Sequence, residues 1–117
     1  MRVGLDLLEI ERLEQALERR PGLADRLFTE AERAYAAAQA RPAQHLAARF
    51  CAKEAVTKAL GLDVLRPRDI EVVATGGAPE LALRGAVAER AAQLGVRVSV
   101  SLTHTRATAG AVALAAP

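Results

Sequence analysis

Positions 3 to 8, Val-Gly-Leu-Asp-Leu-Leu, put Val3, Leu5 and Leu7 on one side of an extended chain and Gly4 and Asp6 on the other. That period of two predicts a strand, with its aliphatic side toward the core and Asp6 projecting from the non-core face. From Glu9 the rhythm changes. Ile10, Leu13 and Leu17 recur at helical spacing, with Glu11, Arg12, Glu14, Glu18 and Arg19 largely on the wet side, until Pro21-Gly22 stops the helix. Thr29 followed three residues later by Glu32 is a capping box, which opens a second helix reaching about Gln39. Arg41-Pro42 interrupts the chain, and a third, longest helix is expected from Pro42 to Gly61, with proline in its first turn and glycine just past its end. Leu46, Phe50 and Thr57 share one side of it with Glu54 nearby, and so many other positions are alanine that most of its surface is expected to be packed.

The second half of the chain is shorter in rhythm. Asp69-Ile-Glu-Val-Val-Ala74 reads as a strand, Gly76 to Glu80 as a turn, and Glu80 to Arg84 as a hairpin partner. Residues 86 to 94 read as a helix with Val87, Ala91 and Leu94 inward and Gly95 ending it. Val98, Val100 and Leu102 then alternate with Ser99, Ser101 and Thr103, and Ala109 to Ala116 forms a last strand paired with them. No repeat or linker interrupts the order. The expected class is α+β: a single domain over residues 1–117, with an antiparallel sheet packed against helices.

Composition narrows the function. At 117 residues the chain closes a core but leaves little room for a deep cleft, so a sizeable ligand site is expected to be shallow or shared with another subunit. Apolar residues make up 51% and aromatics 3%; Phe28, Tyr35 and Phe50 alone do not make a base-stacking platform. A net charge of +2, with arginines spread along the chain, gives no basic stripe, and no nucleic-acid partner is expected. One cysteine, Cys51, excludes an internal disulfide and a cysteine-rich zinc cage, and reads as a small buried hydrophobe. With no long apolar run and no signal-peptide pattern, a soluble cytoplasmic protein without a membrane partner is expected.

One anomaly remains: only two of the 16 basic residues are lysine, and Lys53 and Lys58 both fall in Arg49-Phe-Cys-Ala-Lys-Glu-Ala-Val-Thr-Lys-Ala-Leu-Gly61. Lysine offers a compact point charge where arginine offers a flat fork. Arg49 and Lys53 lie four apart, as do Glu54 and Lys58, giving two adjacent charged stripes. Such a group can receive a polyphosphate with its magnesium ion, which binds through one or two carboxylates plus substrate phosphates. The plain alternative is an ion pair between Glu54 and Lys58. Ser101, Thr103, His104 and Thr105 form a second polar cluster at a strand end, where His104 is a base, a phosphate donor or a loop histidine bonded to backbone. No nucleophile elbow, P-loop or dinucleotide fingerprint is present. His45 has no partner in the sequence and reads as structural or surface.

Taken in order, Gly4-Leu-Asp-Leu-Leu-Glu-Ile-Glu-Arg12, then Phe28-Thr-Glu-Ala-Glu32, then the Arg49 to Gly61 stretch, then Ser99-Val-Ser-Leu-Thr-His-Thr105, the sequence resembles the holo-[acyl-carrier-protein] synthases of the small 4'-phosphopantetheinyl transferase family. The resemblance runs end to end. It implies a compact α+β subunit in a homotrimer with active sites at subunit interfaces. It implies magnesium held by Asp6 and Glu54, and catalysis by that pair together with Lys58. It implies coenzyme A bound by Arg49, Lys53, Lys58, Gly61, Gly77, Pro79, Ser101, Thr103, His104 and Thr105. It further implies an apo acyl carrier protein docked against Arg12, and transfer of phosphopantetheine with release of 3',5'-ADP. The chain departs from the family pattern in a short, glycine-poor loop at Leu62 to Arg68 and in Thr103, where serine is common. Two other classes stay open on the residues alone: a non-catalytic binder of acidic helices through the first helix, and a magnesium-dependent phosphohydrolase.

Overall fold

The computed structural model describes residues 1–117. The elements follow the order β1 (Arg2–Glu9), α1 (Ile10–Arg19), α2 (Leu23–Leu27), α3 (Glu30–Ala37), α4 (Pro42–Ala59), β2 (Ile70–Val73), β3 (Glu80–Leu83), α5 (Gly85–Leu94), β4 (Arg97–His104) and β5 (Thr108–Ala116). A single 3-10 turn, Pro67–Asp69, precedes β2. The class is α+β, as expected. Instead of one sheet there are two, both antiparallel: a three-stranded sheet in the order β1-β5-β4 and a separate β2-β3 hairpin. The capping box that opens α3 is formed in full: Thr29 Oγ1 accepts from the Glu32 amide at 3.3 Å, and Glu32 Oε1 accepts from the Thr29 amide at 2.9 Å.

Helix α4 lies across one face of the larger sheet, and its alanines explain how closely. Ala47, Ala52, Ala55 and Ala59 are buried against Ala109, Ala111, Ala113 and Ala115 of β5. At Gly4 of β1 even a methyl group has no room, since a Cβ there would stand 1.9 Å from the Ala55 carbonyl oxygen. The inner face of β1 is therefore its small-residue face, carrying Gly4 and Asp6. This reverses the expectation for β1: Val3, Leu5 and Leu7 point away from the core and are 65%, 61% and 68% exposed. A period of two defines two faces without saying which is inside. Here the helix selects the face that allows the closer approach. The register places Leu5 beside Val112 and Ser101, Val3 beside Leu114 and Ser99, and Leu7 beside Gly110 and Thr103. The outer face of the sheet is thus aliphatic on β1 and β5 and hydroxyl-bearing on β4.

Candidate active site in two halves

The first half forms at the β1 side of α4. Asp6 reaches from the inner face of β1 toward Lys58, whose ammonium donates to Asp6 Oδ1 at 3.2 Å and to the Leu5 carbonyl at 2.9 Å. The Glu54–Lys58 ion pair read from the spacing is replaced by this cross-element pair with Asp6. Glu54 stays half-buried with no ion partner of its own. Burial, then repulsion from Asp6, holds its carboxyl above the ordinary carboxylate range, against the opposing pull of Lys58. Both carboxylates open into a cavity of about 550 Å³ walled by Leu8, Leu13 and Phe50, with Arg12 of α1 on its rim. Cys51 lies just beneath. It is fully buried, its thiol pushed up to about 12 by burial and by Asp6, which leaves it unreactive.

The second half forms on the opposite flank of the same helix. Arg49 and Lys58 stand nine positions apart, about two and a half turns at 3.6 residues per turn, so the two side chains leave α4 in opposite directions. Arg49 is 5% exposed, and its guanidinium stacks 4.2 Å over the Tyr35 ring and donates to the His45 carbonyl at 3.4 Å. No carboxylate pairs with it, its buried Nε has no partner, and burial lowers its pKa. It borders a cavity of about 310 Å³ shared with Thr75, Gly77, Pro79 and Leu102. The expected Gly77 and Pro79 turn and the expected Arg49 therefore do come together. His104, at the end of β4, stands 6.4 Å from the His45 ring, which in turn meets Tyr35 edge-on at 5.7 Å.

Other expected residues are distributed differently. Ser101 and Thr103 lie on the outer face of the sheet, because strand alternation turns them away from the inner-face row that His104 shares with Ala109 and Leu8. Thr105 caps the β4–β5 turn, its hydroxyl accepting from the Ala107 and Thr108 amides at 3.4 and 3.1 Å. Gly61 adopts the left-handed conformation after α4, φ 66°, tight against Arg2, whose Nε donates to the Ala59 carbonyl at 2.7 Å.

Lys53 requires a correction. Its side chain is fully buried, and its ammonium donates to Glu32 Oε1 at 2.8 Å, to the Pro67 carbonyl at 2.6 Å and to the Ile70 carbonyl. All three ammonium hydrogens are used, so none remains for coenzyme A. The second carboxylate oxygen of Glu32 accepts from the Val72 amide at 2.9 Å, so one lysine and one glutamate tie α3, α4, the 3-10 turn and β2 together. A compact ammonium with three divergent donors fits this point, where a planar fork does not. The short Leu62 to Arg68 loop carries Pro67 to Lys53 and places Leu65 in the wall of the carboxylate cavity. Tyr35 and His45 were not expected in the site. The one available signal was that His45 stands four residues before Arg49 and so shares its stripe of α4.

One flank of α4 thus carries paired carboxylates and a lysine, and the other an arginine that no carboxylate pairs, on a small α+β subunit. Comparison with known proteins gives the family. Residues 2–113 match the model of the 4'-phosphopantetheinyl transferase superfamily. The holo-[acyl-carrier-protein] synthase of Moorella thermoacetica is 48% identical over 118 residues, covering 97% of this chain and 92% of that protein. The crystal structure of holo-[acyl-carrier-protein] synthase from Neisseria meningitidis superposes with a TM-score of 0.88 at 27% identity, covering 99% of this chain and 98% of that one. A coenzyme A complex of the Chronobacterium ammoniagenes enzyme gives 0.84 at 29% identity, covering 97% and 95%. The chain belongs to the 4'-phosphopantetheinyl transferase superfamily and, within it, to the holo-[acyl-carrier-protein] synthases.

Proposed function

We propose that this protein transfers the 4'-phosphopantetheine group of coenzyme A to a serine of apo acyl carrier protein, giving holo carrier protein for fatty-acid synthesis and 3',5'-ADP. The observation that carries the reading is the division of charge across α4. Asp6, Glu54 and Lys58 lie on one flank, and Arg49 beside Gly77 and Pro79 lies on the other. In one subunit the two groups face apart. A coenzyme A molecule needs both, so a complete site joins the β1 side of one subunit to the β4 side of its neighbour. The outer sheet face supplies the surface for such a union: Val3, Leu5, Leu7, Val112 and Leu114 are all exposed, and a contiguous apolar patch of this kind marks an interaction surface. A head-to-tail ring of three copies closes the arrangement.

Asp6 and Glu54 fit magnesium. Burial and then the neighbouring Asp6 raise Glu54, and no third His, Cys, Asp or Glu joins the two carboxylates to form an all-protein cage. That donor set suits a hard cation whose remaining positions go to water and phosphate oxygens. When bound, magnesium neutralises pyrophosphate charge and aligns the reacting phosphorus. Lys58, 53% exposed, is free to swing from Asp6 to a phosphate oxygen, where its point charge counts most as negative charge builds toward the leaving group. The serine oxygen forms its bond to the β-phosphorus as the bond to the adenosine bisphosphate breaks, and the serine proton passes to a base beside the carboxylate pair. Arg12, on the cavity rim, is placed to meet an acidic carrier protein as its serine enters. No helix is long and apolar enough to cross a membrane; the proposed reaction is one of the cytoplasm.

Incubation with apo carrier protein, coenzyme A and magnesium, followed by intact-mass spectrometry, tests the reading. A gain of one phosphopantetheine per carrier, lost on adding EDTA, is expected. An unmodified carrier favours a binding module, and phosphate released without any carrier present favours a phosphohydrolase.

A further inference from the structure

Strand β2 stands outside the three-stranded sheet, and only β3 pairs with it. The Asp69 carbonyl, just before β2, faces β3, where the Arg84 amide donates to it at 2.8 Å. Successive residues of a strand turn their backbone groups to opposite edges, so those of Ile70 and Val72 point away from β3 and toward α3 and α4. There two buried side chains take the place of a neighbouring strand. Glu32 Oε2 accepts from the Val72 amide at 2.9 Å, and the Lys53 ammonium donates to the Ile70 carbonyl. Glu32 is 1% exposed and Lys53 is fully buried, so solvent does not substitute for either bond. Ile70 and Val72 also pack into the core, but apolar burial is non-directional and tolerates sliding. The ion pair does not: a slip of β2 by one residue turns the bonded edge away and breaks both contacts.

The same two helices carry a second rung. Glu32 and Tyr35 lie three residues apart on α3, and Arg49 and Lys53 four apart on α4, so the Glu32–Lys53 pair sits one turn from the stack of Arg49 on Tyr35. Strand β2 runs directly into the turn that lines the Arg49 cavity with Thr75, Gly77 and Pro79. That turn is braced only by itself, with Thr75 Oγ1 donating to the Ala78 carbonyl at 2.8 Å and accepting from the Gly77 amide at 3.3 Å. Its distance from Arg49 is therefore set by the strand beneath it. We propose that Glu32 and Lys53 are positioning residues for coenzyme A, holding the β2–β3 turn against Arg49 and Tyr35 as the second wall of their cavity, a role that rests on the transferase reading. Neither residue touches the ligand. Loosening the pair lets the turn drift, while Asp6, Glu54 and Lys58 on the other flank of α4 keep their geometry.

Steady-state kinetics of Lys53→Met and of the milder Glu32→Gln, which keeps its shape and one acceptor oxygen, test this together with amide hydrogen exchange. The KM for coenzyme A is expected to rise about tenfold or more in Lys53→Met and about threefold or more in Glu32→Gln, since small displacements of a binding wall have effects of this order. The KM for carrier protein is expected to stay within about twofold of wild type, because its serine enters on the opposite flank. A pair that only stabilises the fold lowers the amount of active enzyme and leaves both KM values alone. Exchange at Ile70 to Val73 is expected to accelerate relative to α4, about tenfold in Lys53→Met and about threefold in Glu32→Gln. An unchanged KM for coenzyme A in Glu32→Gln overturns the positioning role, even where Lys53→Met fails to fold. So does an equal rise in both KM values, or a rise for coenzyme A with wild-type exchange in β2, which places Lys53 in direct contact with the ligand. Failure of the wild-type protein to bind coenzyme A overturns the transferase reading and this inference with it.

Discussion

Two lysines five residues apart on one helix have unlike tasks, and the difference follows from burial. Lys58 is half-exposed and held by one carboxylate and one carbonyl, whereas Lys53 is fully enclosed with all its donors committed. For Lys58→Ala the expected loss lies in kcat, roughly 100-fold, with little change in the KM for coenzyme A, since one positioned donor at the developing charge is worth about that much. Steady-state kinetics decides it, and a loss confined to KM contradicts a transition-state role. For Lys53→Ala the expectation is a folding defect. Glu32 is left ionised and buried without its cation, which costs about 3–5 kcal/mol. Urea denaturation measures this; native stability with impaired coenzyme A binding restores Lys53 to the site. Glu54 shows the converse. Its charge is unfavourable in the folded protein before any metal binds, so Glu54→Gln is expected to raise the melting temperature in metal-free buffer while abolishing transfer. A lower melting temperature in the absence of metal refutes the repulsion with Asp6.

At the scale of elements, what the sequence made legible depended on how local the determining physics was. The α3 start was visible because both partners of its capping box lie within three residues, and the limits of α4 because proline and glycine mark them. The five-residue α2 has too few turns to show a period. The inward face of β1 was misread because it is set by Ala55, some fifty residues away, through a contact at the level of backbone atoms. The same distance hid the site. Which lysine is buried depends on Glu32 and on the Pro67 and Ile70 carbonyls, and the pairing of His45 with His104 spans about half of the chain. Gly4 is the sharpest marker of this packing. Gly4→Ala pushes a methyl group into the Ala55 carbonyl, and the strand cannot shift without losing its register to β5. A destabilisation of about 3 kcal/mol or more is expected, at the upper end for overpacked sites. Thermal or chemical unfolding checks it, and a neutral substitution shows that β1 stands farther from α4.

At the scale of the whole molecule, the opposed flanks of α4 turn the proposed two-subunit site into an experiment on assembly. Glu54→Gln removes the carboxylate half of a subunit and leaves its Arg49 half untouched; Arg49→Ala does the reverse. Each variant alone has every site defective and is expected to be inactive. If a site joins the carboxylate half of one subunit to the arginine half of the next, equal amounts of the two variants, unfolded together and refolded, regain activity. Random head-to-tail assembly gives both intact halves at about one quarter of the interfaces, the product of two even chances, so recovery toward a quarter of wild-type transfer is expected. If both halves of every site come from one subunit, no mixture can contain an intact site, and activity stays at the level of the separate variants even when native mass spectrometry shows mixed trimers. The outer sheet face supplies the control. Leu5→Arg places a charge in the centre of the aliphatic patch beside Val112, on a residue already 61% exposed in the subunit, so the fold is retained while association is lost. Introducing Leu5→Arg into both variants is expected to yield monomers by light scattering and to abolish the recovery. Recovered activity among monomers contradicts the shared site.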